Sequence, residues 1–428
     1  MSYPLSYWIK NAKYLSSEGS IQKGHLYIKD GKIDKITPIS NPGEKIEQCL
    51  FDASNFLTLP GLINAHTHLP MVLFRGLGDD LPLKQWLFDI IFPLESKWEP
   101  EEIYIASLVG ISELLHSGCT CFADMYFFVD NIVQAVAESG IRACLSLGLT
   151  AKDKDQGLQS SEHYFKTYHH SYDQRIAMHL APHAIYTCPP EYLSDIIALA
   201  SKLDATIHMH INETKLETLE HFEKFHQQPI ETLHDIGLFE QTVLAAHCVH
   251  LSIDELNILS KAKNLLVAHN PSSNMKLASG IAPVANMLKN RIKIALGTDG
   301  AASNNNLNMF TEMRIASLLS KVAENDPTSL NAQEVLNMTT TVPGKFFGDP
   351  LLGTIQENAP ADLIFIENHH IHLLPNYNYI SNLAYAMKGN EVNTVIINGK
   401  LIMQDHSILT FNEKQIKEKF LNIAEKYS

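Results

Sequence analysis

The chain has 428 residues, 45% hydrophobic and 19% charged, an ordinary globular composition long enough for two domains or one barrel with an elaborated partner. A formal charge of −14 and the lack of a Lys/Arg run argue against nucleic acid and for a small-molecule partner. No apolar run reaches the roughly 18 residues of a membrane helix, and Met1–Lys10 lacks a basic segment followed by an apolar one, so a cytoplasmic protein with no membrane contact is expected.

In chain order, the first 56 residues carry two alternating runs around an Asp30-Gly31 turn, the pattern of a β-hairpin. An apolar, β-prone run over 57–66 then leads into His66 and His68. Residues 69–99 form a long insertion, and Pro100-Glu101-Glu102 opens an amphipathic helix that closes at Gly118. A second helix, capped by Asp130, closes at Gly140. Further strand-like runs are Cys119–Met125, Ile141–Leu149, Arg175–His183, Ala205–Ile211, Thr242–Cys248, Leu265–His269 and Lys293–Thr298. Eight strands alternating with helices over about 250 residues suit a (β/α)8 TIM-like barrel, with a doubly wound sheet as the alternative.

Past a helical stretch near 331–347, residues 361–366 and 393–402 again look like strands, the second with an Asn398-Gly399 turn. Neither flank has enough strands to stand alone. The expected division is a barrel over 57–352 beside one small β-sandwich built from residues 1–56 and 353–428. Six cysteines, Cys49, Cys119, Cys121, Cys144, Cys188 and Cys248, show no paired ligand spacing and read as reduced packing residues.

The spacing of His66 and His68 points both imidazoles to one side of a strand end, half of a metal site. In such a barrel the C-terminal strand ends face the active site. Strand four ends at His183, strand five at His208, His210 and Glu213, strand six at His247, strand seven at His269 and strand eight at Asp299. With 21 histidines in 428 residues, chance places metal-ligand types at so many strand ends poorly.

Pro60-Gly-Leu-Ile-Asn-Ala-His66-Thr-His68, His210-Ile-Asn-Glu213-Thr, Ala246-His247-Cys, His269-Asn-Pro-Ser-Ser-Asn-Met-Lys-Leu and Gly297-Thr-Asp299-Gly-Ala-Ala-Ser-Asn-Asn-Asn resemble the amidohydrolase superfamily. Within it they are similar to the branch of methylthioadenosine/S-adenosylhomocysteine deaminases and triazine hydrolases, in the family's order over nearly the whole chain. The resemblance implies one divalent metal ion, usually zinc, on His66, His68, His210 and Asp299. No lysine lies between Arg175 and Thr187 to carry the bridging group of two-metal relatives. It further implies that His247 orients or deprotonates the attacking water, that Glu213 shuttles protons, and that Asp299 accepts a proton while remaining a ligand.

Glu95 and His183 match nucleoside-binding positions of the branch, with Glu95 on the ribose. In the 69–99 insertion, Trp86 offers a stacking surface, or is simply a core residue of the loop. The implied reaction is hydrolytic deamination at C6 of an adenosine thioether by metal-activated hydroxide, in a homo-oligomer. The alternatives are deamination or dechlorination of guanine, cytosine, a triazine or a pterin, and, from another class, a non-catalytic scaffold. His269 is expected beside the ligands, His250 in packing, and His163, His169 and His170 in solvent. The signatures of Cys-ligated nucleobase deaminases, of serine hydrolases and of phosphate- or dinucleotide-binding loops are absent.

Overall fold

The computed structural model describes residues 6–40 and 49–427. Eight parallel barrel strands follow the expected order: Leu62–Thr67, Cys119–Tyr126, Arg142–Leu149, a broken fourth strand of Ile176–Met178 and Ala181–Pro182, then Ile207–Ile211, Val243–His247, Leu265–His269 and Lys293–Leu296. The first four pair side by side, as do the last four. Parallel bridges Leu180–Ile207 and Ala184–His210 join the two halves. The ring closes through a side chain: Asn64 Nδ2 donates to Thr298 Oγ1 at 2.7 Å, and Thr298 N donates to Asn64 Oδ1 at 3.0 Å. Asp299 N then donates to the His66 carbonyl at 3.0 Å.

Most of these strands are buried throughout, as expected of parallel strands covered on both faces. The floor of the barrel is filled by Ile63, Ala65, Cys121, Ala123, Cys144, Leu244, Leu266 and Ala268. It is a packed core, so ligands are confined to the mouth. All six cysteines are free, and all but Cys49 are buried. Among the described residues no helix is long and apolar enough to cross a membrane.

Strands from both ends of the chain share one nine-stranded sheet: Ser6–Leu15, Ile21–Lys29, Lys32–Thr37, Cys49–Asp52 and Phe56–Pro60 from the N-terminal side, and Leu363–Glu367, Val392–Ile397, Lys400–Gln404 and Ser407–Ile408 from the C-terminal side. Phe56–Pro60 pairs antiparallel with Leu363–Glu367, joining the two contributions. Both turns read from the sequence are present, with left-handed φ at Asp30 and Gly31 and at Asn398 and Gly399. They abut in space: a Cβ on Gly399 would come within 2.9 Å of Gly31 Cα.

Several expected boundaries shift. The single run 57–66 divides at Gly61 into one strand of the terminal sheet and one of the barrel, because Pro60 and Gly61 let the chain change sheets. A Cβ at Gly61 would stand 2.0 Å from Thr120 Oγ1, so no other residue fits that crossing. Residues 175–183 are two short strands rather than one. The stretch 331–347 holds two short helices, Ala332–Asn337 and Thr341–Gly344. Asp130 is not a cap; the helix starts at Val129 behind Phe128, which has left-handed φ. The helix Pro100–His116 is as expected, with a reciprocal Glu99–Glu102 capping box.

Candidate active site

Five side chains from four barrel-strand ends meet at the mouth. His66, His68 and His210 bring one nitrogen each within 4.8 Å of one another, and His66, His247 and Asp299 do likewise. Backbone carbonyls hold the rings. His68 Nδ1 donates to the Met125 carbonyl at 2.7 Å, and His210 Nδ1 donates to the His183 carbonyl at 2.8 Å. A carbonyl only accepts, so in each neutral ring Nε2 is left with a lone pair.

Those two Nε2 atoms stand 3.2 Å apart, and Asp299 Oδ1 lies 3.3 Å from His68 Nε2 and 3.4 Å from His66 Nε2. His66 Nε2 is buried without a hydrogen-bond partner. Acceptors turned on one another in a dry pocket repel unless a cation lies among them. The donor set of imidazoles and one carboxylate therefore fits a divalent ion of zinc's type.

Burial holds His66 neutral, its pKa falling to about 4, and takes His210 well below the ordinary histidine value. Burial works against ionising Asp299, but the close approach of His66 and the fields of His68, His66 and His247 keep its carboxyl well below the usual range. Its outer oxygen, Oδ2, accepts from Ser273 Oγ at 2.6 Å and Ser303 Oγ at 2.9 Å, leaving Oδ1 turned to the histidines. Both Asp299 and His247 have positive φ, 60° and 75°. For non-glycine residues this is backbone strain, and here it aims side chains across the mouth.

His247 Nδ1 contacts Asn274 Oδ1 at 2.9 Å, and its Nε2 faces Glu213 Oε2 at 3.8 Å. Burial opposes charge on this ring, but Glu213 and Asp299 raise its pKa above the ordinary value. Burial raises the Glu213 carboxyl, against the opposing field of His247. Glu213 is thus biased toward holding a proton, beside a ring biased toward taking one.

The cavity above is lined by His68, His183, His210, Glu213, His247 and Asp299 at one end and by Glu95, Trp86, Leu87, Phe92 and Phe127 toward the other. Glu95 Oε1 accepts from Tyr126 Oη at 2.5 Å, and burial pushes the Glu95 carboxyl up to about 7. Trp86 is buried yet lines the cavity. His183 Nδ1 contacts Thr187 Oγ1 at 3.0 Å. All nine residues singled out from the sequence as site residues, His66, His68, Trp86, Glu95, His183, His210, Glu213, His247 and Asp299, lie around this one mouth.

A family model described as the amidohydrolase family matches residues 57–402. The chain belongs to the amidohydrolase family. Among curated relatives, this amidohydrolase is 42% identical to a 5-methylthioadenosine/S-adenosylhomocysteine deaminase of Carboxydothermus hydrogenoformans, over 96% of both chains. A protein of the same name from Syntrophomonas wolfei is also 42% identical, again over 96% of both. A crystal structure of an adenosine deaminase from Xanthomonas campestris with bound zinc superposes with a TM-score of 0.94 at 28% identity, over 98% of each chain. An atrazine chlorohydrolase from Arthrobacter aurescens TC1 complexed with zinc shares the fold, with a TM-score of 0.90 at 20% identity over 98% of this chain and 100% of that one.

Some placements differ from expectation. His269 is buried, but its Nδ1 has no partner, and no hydrogen bond ties it to the ligands among the described residues. Burial drives its pKa to about 3. His250 Nε2 contacts the Ser279 carbonyl at 2.6 Å, a packing role as expected. His163 and His170 are exposed, but His169 is half-buried, stacked on Phe165, and accepts from Met178 N at 3.0 Å.

Sequence reasoning gave no role to His208, whose Nε2 shares a proton with His66 Nδ1 across 2.8 Å. The His208-x-His210 spacing carried that signal, repeating His66-x-His68 one layer deeper in the barrel. Tyr126, Ser273, Asn274 and Ser303 were also missed. Ser273 and Asn274 lie in the motif after strand seven, whose work is to hold Asp299 and His247.

Proposed function

We propose that this amidohydrolase is a hydrolytic deaminase of adenosine thioethers, 5′-methylthioadenosine and S-adenosylhomocysteine, giving the inosine analogue and ammonia. The observation that carries this reading is the near full-length identity to deaminases of that name, and it is supported by a carboxylate, Glu95, lining the same cavity as the His/Asp cluster. His66, His68, His210 and Asp299 hold a single divalent ion, most suitably zinc. When bound, the ion supplies the Lewis acidity that makes water a competent nucleophile near neutral pH.

The side chains do the proton work. His247 and Asp299 orient the attacking water and take its proton. Glu213 donates to the ring nitrogen beside C6 as the new C–O bond forms; the proton first taken from the water then passes to the amine, the C6–N bond breaks to release neutral ammonia, and the hydroxyl proton lost as C6=O forms restores Glu213. His183 and Trp86 hold the base, and Glu95 accepts hydrogen bonds from the ribose hydroxyls.

The same reading takes the terminal sheet as a small β-sandwich closed over Tyr7, Ile9, Leu26, Ile28, Phe365 and Leu401. Its domains are residues 1–56 with 353–428 and a barrel over 57–352. It also takes the protein to be a cytoplasmic homo-oligomer. The test is loss of adenine absorbance with zinc-loaded protein on both thioethers, alongside metal analysis. About one zinc per chain and turnover of at least one thioether are expected; metal-loaded protein inert toward both overturns the assignment.

A further inference from the structure

The cavity has a charge asymmetry that bears on which thioether it takes, and the inference rests on the deaminase reading above. Its acidic lining is the carboxyl groups of Glu95, Glu213 and Asp299 and the phenols of Tyr126 and Tyr186. Among the described residues that line it, no lysine or arginine is present. With C6 at Asp299 and the ribose at Glu95, the lining left for a 5′ substituent is largely apolar, Leu83, Leu87, Phe92 and Phe127, with Thr150 and Tyr186 as its polar members.

The nearest cations are engaged elsewhere. Lys84 Nζ lies 2.8 Å from Glu220, and Lys276 Nζ 2.7 Å from Asp79. Both line a neighbouring groove with Lys215, where Asp80, Glu217 and Glu220 offset their charge. Arg75 is paired with Glu113 and the Asn305 carbonyl. Past Thr150, the last cavity residue of its loop, Lys152 is exposed and Lys154 lies 2.6 Å from Asp195.

We infer that the site selects adenosine thioethers whose 5′ substituent is uncharged and apolar, methylthioadenosine above S-adenosylhomocysteine, because the wall offers hydrophobic burial and no lysine or arginine to pair an α-carboxylate. A methylthio group transfers favourably from water onto Leu83, Leu87 and Phe127. A homocysteine tail brings a zwitterion whose carboxylate and ammonium must both leave water, onto a wall with no cation to pair the carboxylate.

The experiment compares kcat/KM of the zinc-loaded enzyme on methylthioadenosine, S-adenosylhomocysteine and 5′-butylthioadenosine, an uncharged tail of similar length. Butylthioadenosine within about threefold of methylthioadenosine, with S-adenosylhomocysteine at least about tenfold below both, is the expected result. S-adenosylhomocysteine equal to or better than butylthioadenosine overturns the inference. So does an equal loss for both long tails, which marks a steric wall instead of an electrostatic one. No turnover of any of the three overturns the underlying deaminase reading instead.

Discussion

The two ends of the cavity are built on different principles. At the polar end, each ring sits at a strand end and is tied by a hydrogen bond, His68 and His210 to the Met125 and His183 carbonyls, His66 to His208 and His247 to Asn274. At the apolar end, Leu83, Trp86, Leu87 and Phe92 ride on short, irregular helical turns between residues 83 and 95 and are held by packing alone, save a weak 3.4 Å bond from Trp86 Nε1 to the Leu77 carbonyl. The insertion is pinned where it leaves the barrel, by Leu69 N donating to Asp124 Oδ1 at 2.7 Å. Hydrogen-bonded strand ends fix positions finely enough for chemistry. An apolar loop can change its contacts without disturbing them, so that end decides what is admitted.

If that division holds, changes at the polar end lower turnover of every substrate alike, whereas changes at the loop end alter ratios among substrates. The largest effect is expected from His68→Ala, which removes a lone pair from the acceptor cluster. Bound zinc and turnover fall together, the latter by roughly a thousandfold or more, read by metal analysis and the absorbance assay. Glu213→Gln keeps the metal and the cavity shape but cannot shuttle protons. Its kcat drops by about 10² to 10⁴ with zinc content unchanged, and a loss confined to KM would remove Glu213 from the proton path.

His208→Ala leaves His66 Nδ1 without its partner, so zinc affinity weakens by about 10- to 100-fold, measured by competition with a chelator. Activity at saturating zinc recovers most of the way. Were affinity unchanged, the contact at 2.8 Å would be structural only.

Glu95→Gln tests the loop end. It raises KM for ribosides by about tenfold and leaves slow turnover of free bases unaltered. The wild-type carboxyl is raised from 4.5 to about 7 by burial, so its ribose-accepting anion forms as pH rises through 7. Riboside kcat/KM should climb over that interval more steeply than in Glu95→Gln. Stability runs the other way: between pH 4.5 and 7 the folded Glu95 keeps a proton the unfolded chain has lost, so stability falls with rising pH, and Glu95→Gln removes that slope. Thermal melts across this range provide the check. The smallest effect is expected from Tyr126→Phe, which frees Glu95 Oε1 and shifts riboside KM by only a few-fold.

The strand order, the two hairpin turns at Asp30-Gly31 and Asn398-Gly399, and the identity of the converging histidines were legible along the chain, because each rests on a local pattern. Strand ends and turn residues report their own geometry. The split at Gly61 was not legible: the close approach to Thr120 is set by a strand nearly sixty residues further on. Nor was the displaced cap at Asp130, since a left-handed Phe128 is selected by packing and not by propensity. His269 misled for a related reason. It ends a barrel strand like its neighbours, but among the described residues no hydrogen bond joins it to the ligands, and its Nδ1 is buried without a partner.

What the sequence determined by itself was the family, the barrel and the kinds of ligand available, since residue type and spacing carry donor chemistry and strand periodicity. What only the tertiary structure decided was how those donors are oriented: which nitrogen of His68 and His210 is committed to a backbone carbonyl, that His208 stands behind His66, and that the lysines near the mouth are paired or exposed outside the cavity. These are relations between separate segments, from 27 to 197 residues apart, set by closure of the strand ring, and no local pattern encodes them.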